Sequence, residues 1–316
     1  YTMLLAESLD CLAAAIATLP ERLDHRPIAN PYVARSLLQK ALRRADPVQA
    51  ERAVISMIAA GTPPWRALAI CAFEDFGASS LEALQITVTA CTSKSIRLRM
   101  GSEQAVGRAV VHSLAHRPRD RRIDELYMAS AFSLSGNCRR LQFYSDLVEH
   151  TAVVRADTER PVPGCSFKSV IAAHADAHLK KFHDEGQIGP IELAMCVQGR
   201  KTSQCLLPVI YPLAKEALAR AGHSTRLKSN ATPEVRIVGG IPGYAFDGFT
   251  REGRDALTHL LHQNSDLRSL LSVLDTKRAQ LNALRALLFA VEGGVCTQEV
   301  SSSDYVALKS FALAGW

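Results

Sequence analysis

The chain has 316 residues, of which 47% are hydrophobic and 22% charged, and its mean hydropathy lies near zero. These values argue against a disordered tail, a collagen-like repeat and a membrane protein, and leave enough apolar material for one large domain or two ordinary ones. Lys and Arg number 37 against 31 Asp and Glu, a net charge of +6. Read in chain order, helix signals dominate. Residues 3–19 are rich in Leu and Ala; with Glu7 and Asp10 inside and no basic flank, they do not read as a signal or transit peptide. Pro31 opens a segment running to Arg44. Asp46 is a natural N-cap, Pro47 suits the first helical position, and Gln49 completes a capping-box pattern, so a helix is expected to Ala60, stopping at Gly61. The next runs from Pro64 to Gly77. Ser79 followed by Glu82 predicts another to about Ala90, and Glu103 to His116 predicts one more, ended by Pro118.

Residues 121–133 and 137–155 also read as helical, and Pro161-Val-Pro-Gly164 reads as a linker. Helices follow near 166–183, 187–199, 202–221, 250–264, 266–291 and 301–313. Between Gly222 and Gly243 the pattern changes. Val235-Arg-Ile-Val238 alternates and is followed by Gly239-Gly240-Ile-Pro-Gly243, which predicts at most one short strand or an ordered loop. The expected architecture is all-α and multi-helical. It has a first part over 1–160 and a second over 161–316, the latter carrying an irregular Gly-rich insert at 222–249. The longest uncharged apolar run, Ala53 to Trp65, is broken by Gly61, Pro63 and Pro64 and falls short of the roughly 20 residues a membrane span needs.

The 8 cysteines are dispersed, form no C-x-x-C pair, and several sit in apolar stretches such as Ile70-Cys71-Ala72. Thiols used as small hydrophobes suggest a reducing, cytoplasmic setting. No Walker A motif, G-x-G-x-x-G, G-x-S-x-G or H-E-x-x-H is present, so the reading carries no cofactor and leans away from an enzyme.

Three segments carry a family resemblance. Residues 40–47 read Lys-Ala-Leu-Arg-Arg-Ala-Asp-Pro, and a helix ending at Ala60-Gly61 follows. Residues 74–84 read Glu-Asp-Phe-Gly-Ala-Ser-Ser-Leu-Glu-Ala-Leu. Residues 101–118 run from Gly-Ser-Glu through Gln-Ala-Val-Gly-Arg-Ala-Val-Val-His to Ala-His-Arg-Pro. In this order, over about 36–125, the chain resembles the helical C-terminal region of the MgsA/RarA/Werner-helicase-interacting AAA+ ATPases. Those proteins act at stalled replication forks and are related to clamp loaders. The resemblance implies a collar-like helical region that serves oligomer assembly. The stretch between Gly61 and Glu74 is shorter than the family's, the ATPase core is absent from these 316 residues, and the residues after 125 do not follow the family's short tail. ATPase activity is therefore not implied.

Four features are functional candidates. On a regular helix from Pro64 to Phe76, Glu74 points opposite the apolar face and Asp75 flanks it. Both acids sit in the last turn, where the macrodipole favours cations, so an arginine such as Arg43 or Arg44 is the expected partner, with acid catalysis or metal binding as the other outcome. Lys94, Arg97, Arg99, Arg108, Arg117, Arg119, Arg121 and Arg122, less Glu103 and Asp120, concentrate the whole +6 between residues 94 and 122. Arg108, His112 and His116 form a stripe on one helix. The stretch is a candidate nucleic-acid-binding surface that would follow the backbone, since aromatic residues for base stacking are lacking; the alternative is a solvated or ion-paired face. His174 and His178, with Asp176 and His183, resemble part of a metal site, but one helix presents only two of them together. Tyr244, Asp247, Thr250 and Arg251 mark a candidate binding loop, with Thr250 equally a plain N-cap. The sequence thus favours a non-catalytic helical protein of DNA replication or repair that binds DNA backbone, an AAA+ ATPase or itself. The alternatives are a metal-dependent hydrolase using His174 and His178, and an oligomeric scaffold. No membrane partner is expected.

Overall fold

A computed structural model describes residues 2–22, 24–125, 167–220, 225–228 and 231–302. The described chain is mostly helical, as expected. In the first part, α1 (Thr2–Ala17), α2 (Pro31–Arg43), α3 (Pro47–Ala59), α4 (Trp65–Cys71), α5 (Leu81–Thr92), α6 (Lys94–Arg99) and α7 (Glu103–Ala115) follow one another. Helix α2 packs on α3, α3 on α7, and α1 lies across α5 and α7. The ends are set by side chains. Asn30 caps α2 by accepting from the Tyr32 and Val33 amides, and Asp46 caps α3 by accepting from Gln49 N at 3.0 Å. Helix α5 starts one residue later than the Ser79 expectation. Its cap is Ser80, accepting from Ala83 N, while the Ser79 hydroxyl donates to the Phe76 and Pro118 carbonyls.

The segment expected as one regular helix from Pro64 to Gly77 departs from that expectation. Residues Ala72–Phe76 form a π-helical turn, and Gly77 comes next in the left-handed region at φ 45°. A π turn adds a residue to the helical repeat and rotates the side chains beyond it, so Asp75 is not flanking but completely buried. Gly77 is needed here twice: for its positive φ, and because a Cβ would stand 3.0 Å from the Asp120 carbonyl.

The second part contains α8 (Phe167–Asp184), α9 (Pro190–Ser203) and α10 (Leu207–Arg220). The junction expected at 160/161, the Pro161–Gly164 linker and the 137–155 helix lie outside the described residues. Helix α9 packs on both α4 and α5, and α10 reaches the π turn. A single hydrophobic cluster accordingly runs from Leu12 through Phe73 and Leu114 to Cys196, Ile210 and Ala245, so the described residues of the two parts share one core. Gly199 lets α9 approach closely: a Cβ there would lie 2.3 Å from the buried Phe73 ring.

The Gly-rich insert holds more strand than expected. Ile237–Val238 (β2) pairs antiparallel with Ile241–Pro242 (β3) around Gly239 and Gly240, both at positive φ. Thr225–Lys228 (β1) pairs antiparallel with Glu299–Ser302 (β4). The chain then forms α11 (Arg251–Gln263), α12 (Ser265–Leu271), α13 (Lys277–Leu288) and a second π turn, Phe289–Gly293. The helix expected over 266–291 is thus broken, because Thr276 caps a new one by accepting from Ala279 N. Leu257, Leu261 and Leu284 form a small separate cluster within this hairpin of helices. Among the described residues, no helix is long and apolar enough to cross a membrane.

Candidate functional site

The C-terminal end of α2 brings the three resemblance segments together. The Arg43 guanidinium donates through Nε to Asp75 Oδ1 at 2.8 Å, through Nη2 to Glu74 Oε1 at 2.6 Å and through Nη1 to the Gly293 carbonyl at 3.1 Å. The expected pairing of both acids with an arginine is therefore present, and Arg43 takes both. Arg121 adds a second cation 3.5 Å from Asp75 and 2.5 Å from Asp124. Asp75 also fixes the backbone, because its carbonyl accepts from Asp120 N at 2.7 Å. Three carboxylates share two guanidiniums here. Burial, then Asp75, pushes Glu74 up to about 7 despite Arg43. Burial by itself would depress the Arg43 guanidinium, but Asp75 and Glu74 more than reverse it and hold its pKa above the ordinary value.

The eight basic candidates divide by location. Lys94 and Arg99 on α6 are exposed. Arg97 is buried, stacks 4.1 Å from the Trp65 ring and is bonded to Glu103 at 2.9 Å. Arg108 meets the buried Glu51 at 3.1 Å, beside His112, whose Nε2 lies 2.8 Å from the other Glu51 oxygen. Arg117 pairs with Glu82 at the surface. Arg119 is wholly buried. Its guanidinium bonds the Leu42 and Ala115 carbonyls, closing the C-terminal ends of α2 and α7, and burial brings its pKa down to about 10. Arg122 is buried against Asp120, with contacts of 2.5 and 2.6 Å. Most of the stretch thus follows the ion-paired alternative. Arg97, Arg119 and Arg122 point inward because they satisfy carbonyls and carboxylates of the core, and Lys94 and Arg99 keep an open face.

Between α1, α5 and α7 lies a cleft of about 1010 Å³. Its walls carry Asp10, Cys11, Glu82, His112, His116 and Arg117 over an apolar floor that includes Leu19, Ile86 and Ala109. The two imidazoles stack at 6.0 Å, and His116 Nδ1 faces the His112 carbonyl at 2.7 Å.

The candidate loop is tied down. Asp247 Oδ2 meets Lys40 Nζ at 2.5 Å, and Asp247 Oδ1 accepts from the Phe249 and Thr250 amides. Thr250 is the N-cap of α11, accepting from Gly253 N at 3.1 Å. Tyr244 OH donates to Asp46, and the Tyr244 ring lies 4.4 Å from the Arg44 guanidinium. Arg251 is exposed and pairs with Asp255, 3.8 Å away. Compared with known proteins, the chain matches no family model, no curated protein sequence and no solved structure.

Of the histidine set, the side chain of His174 lies outside the described residues. Asp176 is engaged by Arg200 in a bidentate pair at 2.8 and 2.9 Å, and His183 Nδ1 meets the Ile188 carbonyl at 2.9 Å. Among the described residues no group of three His, Cys, Asp or Glu side chains is placed to hold a metal ion. Sequence reasoning passed over Glu51, Phe289 and Glu292, and gave Lys40 no partner. Lys40 and Glu51 had a signal: each is a charged residue within the apolar arc of its helix, beside Leu37 and Val54. Phe289 and Glu292 had none, because they reach α2 from some 250 positions away.

Proposed function

We propose that the chain is a non-catalytic helical protein of the DNA replication and repair type that holds a macromolecular partner, either an AAA+ ATPase or a second copy of itself. One observation supports this reading. The segments that carry the resemblance converge on one inward-facing network: Arg43 from the first, Glu74 and Asp75 from the second, and Arg119 and Asp120 just beyond the third. Their charged groups pair with one another and fix helix packing, as suits an assembly module. DNA backbone is a further partner in this reading, favoured by Lys94 and Arg99 standing exposed beside Leu98. A reducing cytoplasmic setting belongs to it too, resting on the dispersed thiols.

Light scattering with fluorescence anisotropy tests the proposal. Concentration-dependent assembly is expected, with weak, salt-sensitive DNA binding that falls when Lys94 and Arg99 become Ala. A chain that stays monomeric at all concentrations and binds neither DNA nor an ATPase of this family at low salt overturns it.

A further inference from the structure

Three cations at the end of α2 are covered by one distant stretch of the same chain. Lys40 Nζ meets the Asp247 carboxylate at 2.5 Å. Arg43 donates to the Gly293 carbonyl at 3.1 Å, and Arg44 donates to the Glu292 carbonyl at 2.9 Å with the Glu292 carboxylate 3.8 Å away. The Phe289 ring lies 5.6 Å from the Arg43 guanidinium and 5.7 Å from that of Arg121. The acceptors are oxygen atoms arrayed along a chain, and two of them belong to carboxylates. That is the chemistry a phosphate backbone offers to arginine and lysine.

Two further observations separate this cover from ordinary core. The cover joins the body through polar and cation–π contacts, and its own apolar cluster contains only Leu257, Leu261 and Leu284 as buried residues, while Leu270, Val273 and Leu287 are exposed. Tyr244 and Ala245 belong to the core at one end of it, whereas Cys296, buried just past the other end, lies outside that cluster, so residues 247–293 are a flap anchored in the core at Tyr244 and Ala245. Arg44 also carries more donors than the flap satisfies: its Nε and Nη1 are buried with no acceptor, although the side chain is only 5% exposed.

We propose that Asp247 and Glu292, at the two ends of residues 247–293, act as an intramolecular anion mimic over a cationic seat formed by Lys40 and Arg44, beside an Arg43 already neutralised by Glu74 and Asp75, and that lifting this flap opens the seat to the phosphate backbone of a nucleic acid. The inference rests on the nucleic-acid arm of the proposed function. It makes that binding conditional: Lys94 and Arg99 give the weak basal contact, and the covered seat gives the strong one.

The test uses the full chain with Asp247→Asn and Glu292→Gln together. These substitutions remove the two carboxylate charges while keeping volume and leaving Asp247's capping oxygen in place. Opening is read by alkylation of Cys296, which is 1% exposed in the closed form. Binding is read by anisotropy with a fluorescent single-stranded DNA 20-mer. The expected result is faster Cys296 alkylation, at least tenfold tighter DNA binding at low salt, and a salt dependence steeper by about two phosphate contacts. Adding Arg44→Gln should remove the gain. Should the double variant lose helical circular dichroism, Glu292→Gln alone carries the same measurements, with a smaller gain expected. Unchanged alkylation, alkylation without a gain in affinity, or a gain that survives Arg44→Gln each overturns the flap. None of these alters the light-scattering result, so the assembly reading stands or falls separately.

Discussion

Replacing Arg43 by Met is the sharpest test of the packing argument. Methionine keeps most of the aliphatic stem and removes the guanidinium. Three hydrogen bonds go, to Asp75, Glu74 and the Gly293 carbonyl. More costly is the group left behind: a completely buried Asp75 whose main counter-charge has gone. Removing one member of a buried ion pair costs about 3–5 kcal/mol. Arg121, 3.5 Å from Asp75, stays in place and tempers the loss, which sets the expectation near the lower end, about 3 kcal/mol. Urea unfolding followed by circular dichroism measures it. The variants Asp75→Asn and Arg43→Met/Asp75→Asn complete a double-mutant cycle. With the stranded charge neutralised, the double variant should retain about 2 kcal/mol relative to the sum of the singles. A loss below about 1 kcal/mol in Arg43→Met, or strict additivity in the cycle, would refute the claim that this network sets the packing.

The same geometry yields two more expected outcomes. Glu74 and Glu125 are both raised from about 4.5 to about 7, each chiefly by burial, then by Asp75 and Glu299 respectively. The folded chain therefore holds protons that the unfolded chain has already lost between about pH 4.5 and 7. Stability is fullest below pH 4.5 on this account and falls as pH rises through 7, so urea midpoints should decline from pH 5 to 8, and Glu74→Gln should flatten the slope; a rising midpoint contradicts the assignment. Gly199→Ala should destabilise by about 1–3 kcal/mol, read as a lower thermal midpoint, because its Cβ would overlap the buried Phe73 ring; an unchanged midpoint would show that α9 can move away.

Caps, prolines and helix order were legible because they are local. Asp46 accepts a helix-end amide close by in sequence, and Pro31 and Pro47 stand in first turns. Phase was not legible. The wheel for residues 64–76 assumes a constant repeat, and the π turn at Ala72–Phe76 moves Asp75 from flank to core. The break at Thr276 carried a cap signal, but the leucines on either side read through it as one long apolar stripe. The charge concentration over 94–122 was legible, but which of its arginines turn inward was not; direction depends on carbonyls such as that of Leu42, which no local pattern reveals. Pairs such as Lys40 with Asp247, or Arg43 with Gly293, are separated by more than 200 positions and were beyond any local rule.

That separation has a consequence for how the chain is made. Synthesis proceeds from the N-terminus, so α2 emerges long before residues 247–293 exist. During that interval Lys40 lacks Asp247 and Arg44 lacks Glu292, while Arg43 has Glu74 and Asp75 but not the Gly293 carbonyl. The nascent N-terminal part is thus more cationic at this end than the finished protein. Its last-formed contacts are made by residues that emerge late in translation, and a ribosome stalled near residue 240 would display a helical body with its basic end uncovered.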